Sequence, residues 1–382
     1  MKIAINCAFF QPKGGGIKEY VFNLVENLNE IAPNDWDIIL YVLEDYYEFA
    51  LSHLQCRFRI KKIPFKGNGL LNTIVRSCME SLFWRKEEKR EKWDLFHSPF
   101  FHTPRLKNTK IILTVHDMRF YRYPKTYTFL RYTFLKYAVK QSVKRADFII
   151  SISDFTKKEI VSAYNIPPKK IQVIHEAINP NHFSHSVALS KDDIDIISNI
   201  HDKKFILTVG HLEPRKNYNR LIDAVELLNE NLSDKVKLVI VGKQGHDYEE
   251  TLKKIAKSEN IFYLNFVSQE LLNWLYENTA LFVFPTFYEG FGFPPLEAAM
   301  HNTISAVSNI SSIPEICGDC ALYFDPFNIK EMAHTIHEGL FNDECRKNLT
   351  LKLPTQLSKF SWKKNAEETI LLYESIFRKT SS

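Results

Sequence analysis

The segment with the most specific chemistry in this sequence runs from Tyr288 to Ala298 and contains Glu289 and Glu297. Glu289 ends a predicted strand and precedes a glycine-containing loop, whereas Glu297 lies about one turn into the next predicted helix. The two carboxylates can therefore face one crevice, and backbone N–H groups between them can receive phosphate oxygens. Carboxylates beside a phosphate site suit sugar or ribose hydroxyls, so the segment predicts a site for a phosphorylated sugar compound.

A second segment supplies positive charge at an equivalent position. Arg215 and Lys216 follow a predicted strand and lead into a predicted helix. Arginine offers a planar fork of donors and lysine a mobile point charge, so the pair predicts a diphosphate clamp. The structural alternative, a solvated pair of loop charges, is less favoured because both residues lie where a crevice is expected.

Two further segments give weaker signals. The glycines Gly14, Gly15 and Gly16 follow the first predicted strand and open a helix, which allows close approach of an anionic ligand or a simple turn. His116 and Asp117 stand at the end of an Ile- and Val-rich strand, where ligands bind in open α/β sheets. A structural histidine at this position remains an equal alternative.

The elements that must hold these residues alternate between short apolar runs and longer stretches of helical period. Strands are predicted at 2–7, 37–43, 111–115, 147–152, 171–174, 205–209, 236–241, 261–264, 281–284 and 303–306. Helices are predicted at 17–31, 126–145, 155–164, 217–231, 247–258, 269–278, 293–301, 330–341 and from about 362 onward. Apolar strands separated by helices indicate parallel sheets covered on both faces, so the predicted class is α/β with doubly wound domains.

Length and patterning predict two such domains. The chain has 382 residues, and the pattern pauses over a polar run near 180–204. We therefore predict an N-terminal domain at 1–182 and a C-terminal domain at 183–361. The last helix, 362–382, is expected to return to the first domain.

Composition excludes several classes of protein. Hydrophobic residues are 45% and charged residues 25% of the chain, which is typical of a globular protein and not of a disordered one. Six cysteines in a chain of this length are not a disulfide framework, and the one C-x-x-C, Cys317 to Cys320, lacks a second pair at zinc spacing. The apolar runs are too short to cross a membrane, and we expect a cytoplasmic protein.

The net charge of +5 conceals an uneven distribution. Residues 1–180 carry 29 Lys and Arg against 18 Asp and Glu, whereas the remainder is acidic. The segment 119–145 holds eight basic residues, no acidic one and eight Phe or Tyr residues. Basic and aromatic residues together suggest an anionic membrane surface as a partner, although aromatics at helical spacing are also typical of a core. The mild net charge and the acidic second half argue against a nucleic-acid partner.

Taken together, these motifs resemble those of family 4 of the retaining glycosyltransferases, which have the GT-B fold. The resemblance covers nearly the whole chain and is carried by the glycine loop, His116-Asp117, Ser151–Phe155, Glu213–Asn217, the Glu289–Glu297 segment and Ser311–Asp319. It implies two Rossmann-like domains facing a central cleft. The residue sequences of the Glu213–Asn217 and Glu289–Glu297 segments are most similar to those of the mannosyltransferase-like branch that builds bacterial surface polysaccharides.

The resemblance implies a role for each candidate site residue. Arg215 and Lys216 take the diphosphate of a nucleotide-sugar donor, Glu297 the ribose hydroxyls and Glu289 the sugar hydroxyls. His116 reaches the transferred sugar. The remaining donor-binding positions are Gly15, Gly16, Gly210, Gly242, Val267, Gly290, Phe291, Gly292 and Phe293, of which Gly242 and Val267 flank the base and 291–293 offer amides.

The implied activity is retaining transfer of a hexose, with GDP-mannose as the first donor to consider, to a glycan or lipid-linked glycan. No metal or other cofactor is expected, because the Arg/Lys pair replaces the cation that would stabilise the leaving diphosphate. The protein is expected at the inner face of the cytoplasmic membrane. Two alternatives stay open: a sugar phosphorylase or nucleotide-sugar epimerase of the same fold, and a non-catalytic binding module.

Overall fold

The computed structural model describes residues 1–12, 15–65, 70–179, 189–200 and 204–378. The chain divides into two compact units, Met1–Ala177 with Ser361–Ser382, and Ile178–Phe360. The boundary predicted between residues 182 and 183 lies outside the described residues. Each unit contains one parallel sheet covered by helices, as the apolar strand pattern predicts.

The first unit has a sheet of seven described strands in the order β3-β2-β1-β4-β5-β6-β7. These strands are β1 (Lys2–Asn6), β2 (Asp37–Leu43), β3 (Arg59–Ile63), β4 (Leu95–Ser98), β5 (Lys110–Val115), β6 (Phe148–Ser151) and β7 (Ile171–Val173). The helices are α1 (Gly16–Ile31), α2 (Tyr47–His53), α3 (Leu70–Glu91), α4 (Arg119–Arg122), α5 (Phe129–Arg145) and α6 (Asp154–Tyr164).

The second unit has a sheet of six described strands in the order β10-β9-β8-β11-β12-β13. These strands are β8 (Phe205–Val209), β9 (Lys237–Val241), β10 (Ile261–Leu264), β11 (Leu281–Phe284), β12 (Ser305–Ser308) and β13 (Ala321–Phe324). The helices are α7 (Lys191–Ile200), α8 (Tyr218–Glu230), α9 (Glu249–Ile255), α10 (Gln269–Asn278), α11 (Phe293–Met300), α12 (Ile313–Cys317), α13 (Ile329–Phe341) and α14 (Asp343–Leu357).

The final helix, α15 (Trp362–Arg378), belongs to the first unit and packs along α1. Tyr373 is fully buried there, and its hydroxyl lies 2.6 Å from Nδ1 of His97 in β4. The amide of Asn365 also donates to the carbonyl of His175, at 2.7 Å. The C-terminal helix is therefore part of the packing of the first sheet.

Every strand predicted from an apolar run is present, and three strands were missed for identifiable reasons. β3 reads Arg-Ile-Lys-Lys-Ile and forms the edge of the first sheet, where its polar side chains reach solvent. β4 contains His97 and Ser98, which are fully buried polar residues. β13 is a short edge strand with only four residues. The helices α2, α3, α4, α7, α12 and α14 were also missed; α7 lies in the polar run interpreted as a pause.

Candidate functional site

The candidate residues of the second unit lie where its strand order reverses. From β8 the chain proceeds to β9 on one side, whereas β11, which pairs with β8 on the other side, continues to β12. The loops after β8 and β11 therefore leave a crevice at the carboxyl ends of the strands, which is the usual ligand position in such sheets. These two loops contain Arg215, Lys216 and Glu289.

Glu289 and the two cations form a buried ion-pair cluster. Oε1 of Glu289 accepts from Nη1 of Arg215 at 2.6 Å and from Nζ of Lys216 at 2.8 Å. The hydroxyl of Thr286 donates to the same oxygen at 2.9 Å. On the other side of the guanidinium, Glu213 accepts from Nε of Arg215 at 3.0 Å. Arg215 thus lies between two carboxylates, and only 8% of its surface is exposed.

The second oxygen of Glu289 differs from the first. Among the described residues, no group donates a hydrogen bond to Oε2, although the residue is largely buried. The carboxylate is therefore held in place by three donors on one oxygen and keeps the other oxygen able to accept. A sugar hydroxyl is a suitable donor for such an oxygen.

The local backbone explains how the two loops are held together. Asn217 adopts a left-handed conformation with φ of 60°, which ends the turn at Pro214–Lys216 and starts α8. Its side-chain amide donates to the carbonyls of Pro285, at 3.0 Å, and Pro326, at 2.8 Å. The amide of Phe287 donates to the carbonyl of Arg215 at 2.9 Å. These bonds fix the basic pair against the loop that carries Glu289.

The charges of the cluster are strongly coupled. Burial opposes ionisation of Glu289, but Arg215 and Lys216 together lower its pKa to about 2. Burial also opposes the charge of Arg215, yet Glu289 and Glu213 hold its pKa above the usual value. For Lys216, burial prevails and lowers the pKa although Glu289 favours the ammonium. The carboxylate is thus ionised at neutral pH, and Lys216 is the cation most sensitive to its surroundings.

Glu297 occupies a different environment from Glu289. Its Oε2 accepts from the hydroxyl of Tyr276 at 2.7 Å, and burial raises its pKa. Among the described residues, nothing donates to its Oε1. In each of the two carboxylates, Glu289 and Glu297, one oxygen therefore accepts hydrogen bonds from the protein.

Helix α11 begins at Phe293, and its first turn contains Pro294 and Pro295, which have no N–H group. The N–H groups near this end of the helix are consequently those of the preceding loop and of Phe293, which include the predicted positions Phe291, Gly292 and Phe293. Ser312 supports this loop by donating to the carbonyls of Glu289, at 3.0 Å, and Phe291, at 2.6 Å. Gly290 lies within the supported loop.

Chain packing alone accounts for three of the predicted donor-binding glycines. Gly242 has φ of 151°, and a Cβ there would lie 2.1 Å from the carbonyl oxygen of Gly210. Gly210 has φ of 148°, and its Cβ would approach Cε of Lys216 to 2.9 Å. A Cβ on Gly292 would meet Ile313 at 2.7 Å. Val267, the other residue predicted beside the base, follows the neighbouring strand β10 and is half-buried.

In the first unit, His116 follows the carboxyl end of β5 and uses both ring nitrogens. Nδ1 lies 2.7 Å from Oε1 of Glu176, and Nε2 lies 2.8 Å from the carbonyl oxygen of Pro99. A carbonyl can only accept, and Glu176 is a carboxylate, so this geometry suits a doubly protonated ring. Burial opposes that charge, but Glu176 and the Pro99 carbonyl raise the pKa of His116.

Gly15 and Gly16 begin α1, after the carboxyl end of β1. A Cβ on either residue would have no atom within 4 Å, so packing within the chain does not require glycine here. Close approach of a ligand remains a reason for glycine at these positions. Gly14 lies outside the described residues.

Sequence reasoning missed several polar residues that organise these sites. They are Glu213, Thr286, Tyr276, Ser312 and Glu176, each a partner of a predicted residue. Glu213 and Thr286 lie two and three residues before Arg215 and Glu289, so their proximity in sequence could have identified them as partners. Nothing in the local sequence pairs Glu176 with His116, because that contact depends on where two separate strands end.

The cysteines of the C-x-x-C segment are buried thiols. Burial raises the pKa of Cys317 well above its usual value and that of Cys320 to about 11. The thiol of Cys320 donates to the carbonyl of Cys317 at 2.9 Å. Both are therefore poor nucleophiles at neutral pH, in agreement with a structural turn.

Helix α5 carries an exposed face that combines cationic and apolar side chains. Phe129 is 80% exposed, Leu130 63% and Tyr137 59%. Three exposed lysines, Lys136, Lys140 and Lys144, recur at four-residue spacing and so share one side of the helix. We call these six residues the α5 surface. Among the described residues, no helix combines the length and the apolar character that crossing a membrane requires.

Two family profiles match the chain. "Glycosyltransferase Family 4" matches residues 14–182, and "Glycosyl transferases group 1" matches residues 190–352. The chain is 28% identical to O-antigen chain mannosyltransferase RfbU of Salmonella typhimurium, covering 94% of this chain and 93% of that protein. It is 28% identical to O-antigen chain mannosyltransferase B of Escherichia coli, covering 75% and 77%.

Solved structures share the fold across both units. The Anabaena protein Alr3699/HepE, crystallised with UDP and glucose, superposes with a TM-score of 0.71 at 15% identity and covers 98% of this chain and all of that one. WaaG, a glycosyltransferase involved in lipopolysaccharide biosynthesis, gives 0.66 at 16% identity over 96% and 98%. The predicted α/β class with two parallel-sheet units is confirmed. Together, the two matched profiles and the shared fold show that this chain is a glycosyltransferase of the GT-B fold and belongs to glycosyltransferase family 4.

Proposed function

We propose that this chain is a retaining glycosyltransferase that moves a hexose from a nucleotide-diphosphate sugar to a glycan or lipid-linked glycan in surface polysaccharide synthesis. GDP-mannose is the first donor to test, because the similar proteins RfbU and mannosyltransferase B are O-antigen mannosyltransferases. The observation that carries the proposal is the cluster of Arg215, Lys216 and Glu289 at the strand-order reversal of the second sheet.

The cluster fits both halves of such a donor. Departure of a nucleoside diphosphate places negative charge on phosphate oxygens, and a preorganised Arg/Lys pair stabilises that charge without a metal ion. The unpaired oxygen of Glu289 accepts from a sugar hydroxyl, and that of Glu297 from a ribose hydroxyl. Gly15 and Gly16 leave room for a ligand at the backbone of the first unit.

The state of Glu289 supports retention without a covalent intermediate on this residue. Its charge is shared with two cations, and its pKa of about 2 makes it a weak nucleophile and a poor base. We therefore propose same-face substitution through an oxocarbenium-like state. In this reaction the leaving diphosphate is stabilised by Arg215 and Lys216, and His116, as an imidazolium, contacts the transferred sugar.

The proposal is tested with the purified full-length chain. A thermal-shift screen of GDP, UDP and ADP with their hexose derivatives identifies the donor, since ligands that bind the folded state raise its apparent stability. Transfer to a mannose-terminated lipid-linked glycan is then followed by mass spectrometry with and without EDTA, and the anomeric configuration of the product is read by NMR. Release of sugar phosphate from glycan plus phosphate, or epimerisation without acceptor, would contradict the proposal, as would an inverted product.

We also propose that the α5 surface binds an anionic membrane, so that the enzyme meets a lipid-linked acceptor at the inner face of the cytoplasmic membrane. Lys136, Lys140 and Lys144 supply the attraction to anionic headgroups, and Phe129 and Leu130 supply side chains for the acyl boundary. No acidic residue interrupts the segment 119–145. This complementarity favours a lipid surface as the partner.

Flotation with phosphatidylglycerol vesicles tests this surface at low and high salt. Phe129→Ser combined with Leu130→Ser should reduce flotation and leave the melting temperature unchanged, because both side chains already face solvent. Leu371→Ser, at an exposed leucine of α15, is the matched control. Equal flotation of the wild type on neutral and anionic vesicles, or no binding at low salt, would contradict it.

A further inference from the structure

The first unit contains a basic cavity of about 510 Å³ that none of the candidate site residues lines. Its cationic side chains come from α3, the loop between β4 and β5, β5 and α5: Arg85, Arg105, Lys107, Lys110 and Arg145. Asp147 is the only acidic residue in the lining. Lys110 begins β5, so the cavity lies at the amino ends of the strands. His116 follows the opposite end of the same strand.

Most of the cationic side chains in this basic cavity lack a carboxylate partner. Asp147 accepts from Nζ of Lys110 at 3.2 Å and from the amide of Ile111 at 2.8 Å. Arg85 and Arg145 donate to backbone carbonyls, those of Arg105 and Thr103. Among the described residues, no carboxylate forms an ion pair with Arg85, Arg105, Lys107 or Arg145.

The loop that carries Arg105 and Lys107 is held by a buried carboxylate. Glu88 is 5% exposed and accepts from the amides of Lys107, Asn108 and Thr109 at 2.9, 2.8 and 3.1 Å. The hydroxyl of Thr109 donates to it at 2.9 Å. Glu88 thus binds the backbone of the loop and fixes it. It does not form an ion pair with the side chains of Arg105 and Lys107, which line the cavity. A fixed loop of this kind is preorganised for a ligand.

The cationic side chains around this cavity repel one another. Burial and the nearby charge of Arg105 lower the pKa of Arg145. Guanidinium groups bind phosphate oxygens through paired N–H donors, so an anion would relieve the repulsion and satisfy the donors together. The volume lies in the range of small-ligand sites and exceeds the size of one phosphate group.

We propose that this basic cavity binds a ligand that carries a phosphate or diphosphate group, at a site separate from the donor-binding cluster. Both a soluble diphosphate and the phosphate headgroup of a lipid have this chemistry. Arg145 is the last residue of α5, and α5 also carries the exposed cationic and apolar face described above. The site therefore adds an anion-binding function to the first unit that the transfer reaction does not require.

Calorimetric titration of the full-length chain with inorganic pyrophosphate tests the site. Arg105→Gln combined with Arg145→Gln should weaken one binding event at least tenfold, whereas Lys216→Ala should remove only the event at the donor cluster. Lys257→Gln, at an exposed lysine of the second unit, makes the same kind of charge change and should alter neither. Arg105→Gln alone should also raise the melting temperature without pyrophosphate, because it removes repulsion, and should reduce the pyrophosphate-dependent gain.

Vesicles of phosphatidylcholine with phosphatidic acid, compared with phosphatidylglycerol at equal charge, distinguish the two sources. A headgroup site predicts that Arg105→Gln reduces flotation on phosphatidic acid selectively, and a soluble ligand predicts pyrophosphate binding without that selectivity. Unchanged pyrophosphate affinity and unchanged flotation in the double variant would overturn the proposal. Because the Arg105 and Arg145 variants leave Lys216 and Glu289 intact, failure of this proposal is separable from failure of the proposed transfer activity.

Discussion

The two units place their candidate residues at equivalent strand ends, but they differ in how the charged side chains are paired. In the second unit, Arg215 and Lys216 share Glu289, and Arg215 also contacts Glu213, so the cluster is internally neutral without a ligand. In the first unit, His116 meets one carboxylate, Glu176, and a carbonyl. A neutral cluster of buried ion pairs keeps its cations in place, and we propose that a diphosphate then shares them. The charge of His116 instead depends on one carboxylate and one carbonyl, and a histidine ordinarily titrates near neutral pH, which makes it more sensitive to pH.

The largest expected effect tests the second-unit cluster. Lys216→Ala should lower kcat/KM for donor by roughly 10²–10³-fold or more, because it removes a preorganised charge from the leaving diphosphate. Initial rates with the identified donor measure this effect, and Lys257→Ala is the control for a surface lysine. Circular dichroism melting checks that the variant is folded. Normal turnover would remove Lys216 from the clamp.

Glu289→Gln tests whether the cluster is held by its carboxylate. We expect a loss of roughly 10–100-fold, mainly in kcat, since a charged hydrogen-bond acceptor is worth about 1.5–3 kcal/mol. Without the carboxylate, the pKa of Lys216 falls further, so the alkaline limb of the pH–rate profile should move to lower pH. An increase in donor KM with kcat unchanged would make Glu289 a binding group alone.

The same substitution should change stability in acid. The folded-state pKa of Glu289, about 2, is below its ordinary value of 4.5. Its contribution to stability is therefore present above about pH 4.5 and is lost as the pH falls toward 2. Acid unfolding followed by tryptophan fluorescence should show this loss in the wild type and less of it in Glu289→Gln. Identical acid transitions would contradict the ion-pair description.

Glu176→Gln is the corresponding test in the first unit. It should lower the pKa of His116 and reduce kcat/KM about tenfold, or about 1.4 kcal/mol. Because the folded-state pKa of His116 is raised, its stabilisation is present below about pH 6.5 and is lost as the pH rises through the folded-state value. NMR titration of the ring, which Tyr20, His97 and Asp117 also face, measures the shift. Glu48→Gln, at an exposed α2 residue, is the control; an unchanged titration would contradict the pairing.

The smallest effects separate packing glycines from ligand glycines. Gly242→Ala should destabilise the fold by about 1–3 kcal/mol, because its Cβ meets the carbonyl of Gly210 and its φ is positive. Gly15→Ala should leave stability within about 0.5 kcal/mol, as no atom lies near its Cβ. Urea unfolding measures both. If a ligand approaches the first-unit glycines, Gly15→Ala raises donor KM, and an unchanged KM would remove Gly15 from the site.

The fold was largely readable from the sequence because buried parallel strands are continuous apolar runs. Strand β11, Leu-Phe-Val-Phe, and the last four residues of β9, Leu-Val-Ile-Val, follow this rule. β4 was not predicted because it contains buried polar residues. A central strand tolerates them when they form hydrogen bonds, and His97 lies within hydrogen-bond distance of Tyr373 and Thr114. Helix α14 was not predicted because most of its surface faces solvent, and its sequence therefore has little helical periodicity.

For the candidate site, the sequence showed only which residue types follow the predicted strands and not which side chains contact each other. Lysine, arginine and glutamate after predicted strands indicated a phosphate and sugar site, since strand ends are where such sheets bind ligands. The sequence by itself determined the parallel-sheet class, the two-unit organisation of its motifs and the charge difference between its halves. Tertiary structure alone decided which oxygen of Glu289 is occupied and that Glu176 faces His116. It also decided that four cations, which have no carboxylate partner among the described residues, surround one cavity. The physical reason is that hydrogen bonds and ion pairs join residues 60 or more positions apart, and no local periodicity records such contacts.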